Sequence, residues 1–281
     1  MFRVQPIESW LQFEKLMHDR LIADARDWHY RSYFRGHADA SWHLQTTLER
    51  SVSPRLSVSS YYAMIQRIRR DLETFTDARW DLPPRDEFLQ KMSHVPSAVE
   101  GVPHEYMGYL RHFGFPSPFL DWTFSPFVAA FFAFRDVTSP ADSVAIFEYL
   151  EVVDAPDEPL RDYPQILPVF AASRNNKRYF LQQSAHTVCL RMDGDEVFYE
   201  PHENPRSLAE DTEVITKYVL PATERAEVFQ TLEAYNINAF SLVGTEESLL
   251  ETLFLKRYLN ASRARSYFGK TLDEDDVWSM G

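Results

Sequence analysis

The stretch Ser125-Pro126-Phe127-Val128-Ala129-Ala130-Phe131-Phe132-Ala133-Phe134 decides the architecture. The Ser125 hydroxyl can cap free N–H groups, and proline at the first helical position sacrifices no hydrogen bond. The eight residues Phe127 to Phe134 are apolar on every side. Such a helix belongs in the middle of a molecule, covered by other elements. The run is far shorter than the roughly 20 residues a membrane span requires.

Working outward, the spacing upstream predicts helices. Trp10, Phe13, Leu16, Met17 and Leu21 mark one over 8–27. A strand follows over Tyr30 to Arg35, stopped by Gly36. A second helix, capped by Ser59 or Ser60, carries the stripe Met64, Ile65, Ile68, Leu72 and Phe75 and stops by Asp81 to Pro84. A short helix over Asp86 to Met92 and another over Pro103 to Phe113, closed by Gly114, complete the first half. Downstream the pattern turns to strands at Ser143 to Leu150, Ile166 to Phe170, Thr187 to Arg191 and Val214 to Leu220. Helices at Ala222 to Tyr235 and Glu246 to Tyr258 end the series, with a strand or turn at Ile237 to Phe240. The expectation is an α+β fold with a mixed or antiparallel sheet core and a helical N-terminal portion. It forms one domain over 1–262, and an acidic, solvated tail follows over 263–281.

Composition narrows the function. With 44% hydrophobic and 25% charged residues among 281, disorder is not the theme. A net charge of −13 argues against duplex nucleic acid, whose affinity comes from Lys and Arg displacing counterions. Residues 1–140 hold 16 basic against 17 acidic side chains, so an anion-binding surface is expected in that half. One cysteine and nine histidines without an HExxH spacing signal no metal site. The N-terminus shows no apolar leader, and the lone Cys189 has no internal partner, so a cytoplasmic location away from membranes is expected.

Two stretches carry the chemistry. In Tyr33-Phe34-Arg35-Gly36-His37, an arginine beside a glycine that lets a ligand approach the backbone is a candidate clamp for phosphate or carboxylate. The alternative is an arginine paired within the fold. In Leu110-Arg111-His112-Phe113-Gly114 and Leu120-Asp121-Trp122-Thr123-Phe124-Ser125, polar groups stand among large apolar ones and must find partners. Ser125 as a plain cap is the favoured explanation of that hydroxyl. His112 and Asp121 are candidates for a base and its orienting partner, which leaves a hydrolase or nuclease as one alternative.

Together these stretches resemble the FRG domain family. The matching residues are Phe34-Arg35-Gly36, Trp42, Leu44, Arg50, His112-Phe113-Gly114-Phe115-Pro116, Leu120-Asp121-Trp122-Thr123 and the helix over Ala129 to Ala133. A third block matches Arg178, Gln182 and Ser184, with Gln183 an alternative for Gln182. Ser117-Pro118 stands where the family usually has Thr-Arg. More distantly, the order Arg35, Thr123-Phe124-Ser125, Gln182 is similar to the Arg, Ser-x-Ser, Glu layout of ADP-ribosyltransferases. That resemblance implies a transferase-like fold with NAD as substrate and no metal. Arg35, His112, Asp121 and Gln182 would be the catalytic set, and Tyr33, Gly36, Phe113, Trp122, Thr123, Ser125 and Arg178 would contact the nucleotide. Gln182 is neutral where the layout has a carboxylate, so the alternative is a non-catalytic recognition module. Family resemblance places either in a bacterial toxin or phage-defence setting.

Overall fold

The computed structural model describes residues 3–27, 29–51, 55–94, 99–136, 142–153, 159–170, 177–203 and 215–268, with backbone only at 93, 94 and 258–268. Among them lie ten α-helices and a single mixed sheet of eight strands. The strands are β1 (Arg3–Pro6), β2 (Tyr30–His37), β3 (Leu120–Thr123), β4 (Ser143–Val152), β5 (Gln165–Val169), β6 (Ser184–Asp193), β7 (Glu196–Tyr199) and β8 (Ile215–Pro221). Their order is β1-β8-β4-β2-β3-β6-β5, with β7 on β6. Among the strands of the described residues, β1 and β8 pair in parallel and the other pairs are antiparallel. The expected mixed sheet is present; the strand expected over Tyr30 to Arg35 is its central β2, and beside it lies β3, from a stretch where no strand is expected.

Alternation along the strands sends side chains to two faces. On one face, α6 (Pro126–Arg135), α1 (Trp10–Asp24) and α8 (Arg225–Ala234) bury Phe34, Ile146 and Leu220. On the same face, α3 (Val58–Phe75), α4 (Arg85–His94) and α5 (Val102–His112) cover Leu167, Val188 and Leu190. The opposite face carries a smaller cluster around Tyr33, Trp122, Phe147 and Tyr149. The Ser125 hydroxyl caps α6 by accepting from the Val128 N–H, and Phe127 to Phe131 are buried, as the opening stretch dictates.

Gly36 serves this packing. A Cβ built on it would stand 2.0 Å from the Ala129 carbonyl oxygen and 2.6 Å from the Ala133 nitrogen. The absent side chain admits the α6 backbone, which corrects the expectation that it admits a ligand. Other corrections are local. Ser57, rather than Ser59 or Ser60, caps α3. Ile237 to Phe240 leads into a helical turn, α9 (Ala239–Val243), whose capping box runs between Asn238 and Ser241. The last helix, α10 (Glu246–Phe268), runs into the span assigned to a tail, whose acidic end lies outside the described residues. The helices α2 (Thr47–Ser51) and α7 (Lys177–Leu181) and strands β1, β3 and β7 add to the expected set.

Candidate functional site: an arginine cluster where two central strands part

β2 and β3 share one register pair, Phe34 with Thr123. Where that ladder stops, the Arg35 guanidinium bridges the strands. Its Nη1 donates to the Asp121 main-chain carbonyl at 2.7 Å, and its Nε donates to His37 Nε2 at 2.9 Å. Burial pulls the Arg35 pKa down to about 10; Asp121 opposes that shift, while Arg111 and Arg50 add to it. Arg111 and Arg50 are therefore each within electrostatic reach of Arg35. Arg50 is exposed at the end of α2, with Nη1 on the Gln45 carbonyl.

The Asp121 carboxylate faces the other way along its strand and meets the C-terminal end of α5. Arg111 holds it with two donors, Nε on Oδ1 at 2.6 Å and Nη2 on Oδ2. His186, its register partner on β6, adds Nε2 at 3.2 Å. Burial acts to raise the Asp121 pKa, but Arg111 and His186 outweigh it and hold the carboxyl well below its usual value. The side chain is nonetheless 49% exposed. Arg111 is steadied in turn by the Thr47 hydroxyl at 3.3 Å.

Beside Arg35 the histidines are neutral. Burial and then Arg35 bring His37 and His202 down to about 3. Because His37 Nε2 accepts from Arg35, its proton sits on Nδ1, which faces the Trp42 main chain without reaching hydrogen-bond geometry. The Trp42 ring lies 6.2 Å from that of His37 and is 52% exposed. Below, Trp122 Nε1 donates to Thr187 Oγ1 at 2.8 Å, and the same oxygen meets His202 Nε2 at 2.9 Å.

The expected site residues divide. Arg35 and Asp121 come together. His112 is exposed at the end of α5, its ring edge-on to Phe113, which is itself 69% exposed. Gln182 lies in the turn before β6, where its amide donates to the Leu242 carbonyl at 3.1 Å and its own carbonyl accepts from Thr123. Tyr33 is buried, its hydroxyl donating to Glu151 at 2.6 Å. Trp122 is buried in the cluster on the opposite face, and Arg178 is exposed on α7, acting on Glu247. Arg111, His37, His186 and His202 went unselected. The signal for the first was present, since it directly precedes His112.

Residues 30–142 match the family model of the FRG domain. The matched segment contains Arg35, Arg50, Arg111 and Asp121, whereas His186 and His202 come from the chain beyond it. No curated protein and no solved structure matches the chain, and nothing in the comparisons supports the resemblance to ADP-ribosyltransferases. Among the described residues no helix is long and apolar enough to cross a membrane.

Proposed function

We propose that the FRG segment recognises a phosphate-bearing, nucleotide-like ligand, NAD among the candidates, and does so as a binding module. The observation that carries this reading is the arrangement of charge. Arg111 and His186 already satisfy Asp121, so Arg35 and Arg50 retain positive charge for an incoming anion. Guanidinium forks match phosphate oxygens, and the exposed Trp42 ring offers a stacking surface for a base nearby. Transfer of ADP-ribose requires a carboxylate against the developing sugar cation. The acid acting on Arg35 is committed to Arg111, and the Gln182 amide is committed to Leu242, which favours recognition over transfer.

Calorimetric titration of the whole chain with NAD, ADP and inorganic pyrophosphate tests the reading. Arg50→Ala, exposed, is expected to weaken binding at least tenfold with an unchanged melting temperature. Equal binding by variant and parent, or no binding of any of the three by the parent, overturns it. Nicotinamide release during prolonged incubation with labelled NAD would overturn the non-catalytic half alone.

A further inference from the structure

The first two turns of the last helix set hydroxyls inward and leucines outward. On α10 the residues turned inward are Ser248 and Thr252, 4% and 5% exposed. Their hydroxyls are used locally: Ser248 Oγ donates to the Thr245 carbonyl, and Thr252 Oγ1 donates to the Ser248 carbonyl and accepts from the Phe240 N–H. Leu255 packs partly buried against the core, whereas Leu249, Leu250 and Leu253 face out, 38%, 67% and 49% exposed, with Phe240 of the adjoining α9 45% exposed. A surface helix normally buries its apolar stripe and shows its hydroxyls. A contiguous apolar patch left outside marks a contact surface.

Charge along the same helix specifies the occupant. Up to Arg257 its acids, Glu246, Glu247 and Glu251, all fall in the first six residues, and its bases, Lys256 and Arg257, fall later. Glu251 pairs with Arg135, Lys256 with Glu233, and Glu247 meets the Thr245 hydroxyl with Arg178 acting on it, all inside the chain; Glu246 and Arg257, eleven residues apart and so on the stripe of Leu250 and Leu253, bracket the outer face. Such a helix is complementary to itself in the antiparallel sense alone, because a parallel pair opposes like charges. Self-complementarity is what a two-fold interface requires. We propose that the outer face of α10 is a homodimer seam, in which two copies pair antiparallel through Leu250 and Leu253 with Glu246 of each against Arg257 of the other.

Light scattering on the eluting full chain tests this. The expected mass is twice the 32.9 kDa of one chain, falling to one chain in Leu250→Glu/Leu253→Glu with an unchanged circular-dichroism melt. Glu246→Lys and Arg257→Glu are each expected to be monomeric alone and to dimerise when mixed. A monomeric parent overturns the proposal, whether or not the face then proves to take a different protein or a lipid surface. A dimer that survives the leucine substitutions, or charge variants that fail to recover on mixing, overturns it as well.

Discussion

The Arg35 guanidinium binds the main-chain carbonyl of Asp121 and leaves that residue's carboxylate to Arg111. The backbone contact ties two central strands together where their ladder ends, so Arg35 has a structural duty besides any ligand. Arg35→Lys keeps the charge but lacks the planar fork that reaches both His37 and the carbonyl. The expected cost is about 1–3 kcal/mol, since a partly buried acceptor loses its donor. Urea denaturation of variant and parent measures it, and an unchanged midpoint would show that the bridge holds nothing.

Gly36→Ala tests the packing reading of the neighbouring residue. The added methyl would meet backbone atoms of α6, which cannot swing aside as a flexible side chain does. Overpacking costs about 1–3 kcal/mol when side chains absorb it, and here a helix must shift, so a loss of about 3 kcal/mol or more is expected. A denaturation midpoint within error of the parent would mean that α6 lies farther from β2.

The contrast between these neighbours shows what sequence makes legible. The cap at Ser125, the buried helix after it and the α1 stripe rest on chemistry a few residues wide, and each reappears in the structure. β3 is four residues long and β1 likewise, too short for alternation to stand out. The choice between Arg111 and His112 as the partner of Asp121 is of another kind. Consecutive helical residues point about 100° apart, and only the docking of α5 decides which faces the sheet. Register across β3 and β6 selects His186 in the same way, through contacts distant in sequence.

Asp121→Asn separates a counter-charge from a chemical acid. Neutralising it frees Arg111 and raises the positive potential around Arg35, so pyrophosphate affinity is expected to rise severalfold. Stability is expected to fall by about 1–2 kcal/mol, below the range for a sealed pair because the carboxylate is half exposed. Calorimetry on the variant gives the affinity directly. A drop in affinity would instead make the Asp121–Arg111 pair a positioning device for the ligand.

Acid sensitivity follows from the buried histidines. His104, with Nδ1 on the Glu100 carbonyl at 2.9 Å, is brought to about 4 by burial, and His37 and His202 to about 3. The unfolded chain takes up these protons below its ordinary value of 6.5, whereas the native state refuses them until far lower pH. The unfolded state therefore binds more protons in that window, and stability is lost as pH falls from 6.5, by up to about 1.4 kcal/mol per pH unit for each histidine. Asp121 adds its own loss only at lower pH, as its unfolded form protonates near 3.8. His104 lies apart from the arginine cluster, packed against Phe88 and Phe119, so His104→Gln is expected to flatten the slope by one histidine's share without altering ligand affinity. Urea denaturation of both proteins at steps between pH 7 and about 5 measures that difference, and parallel curves would mean that His104 is protonated in the native state.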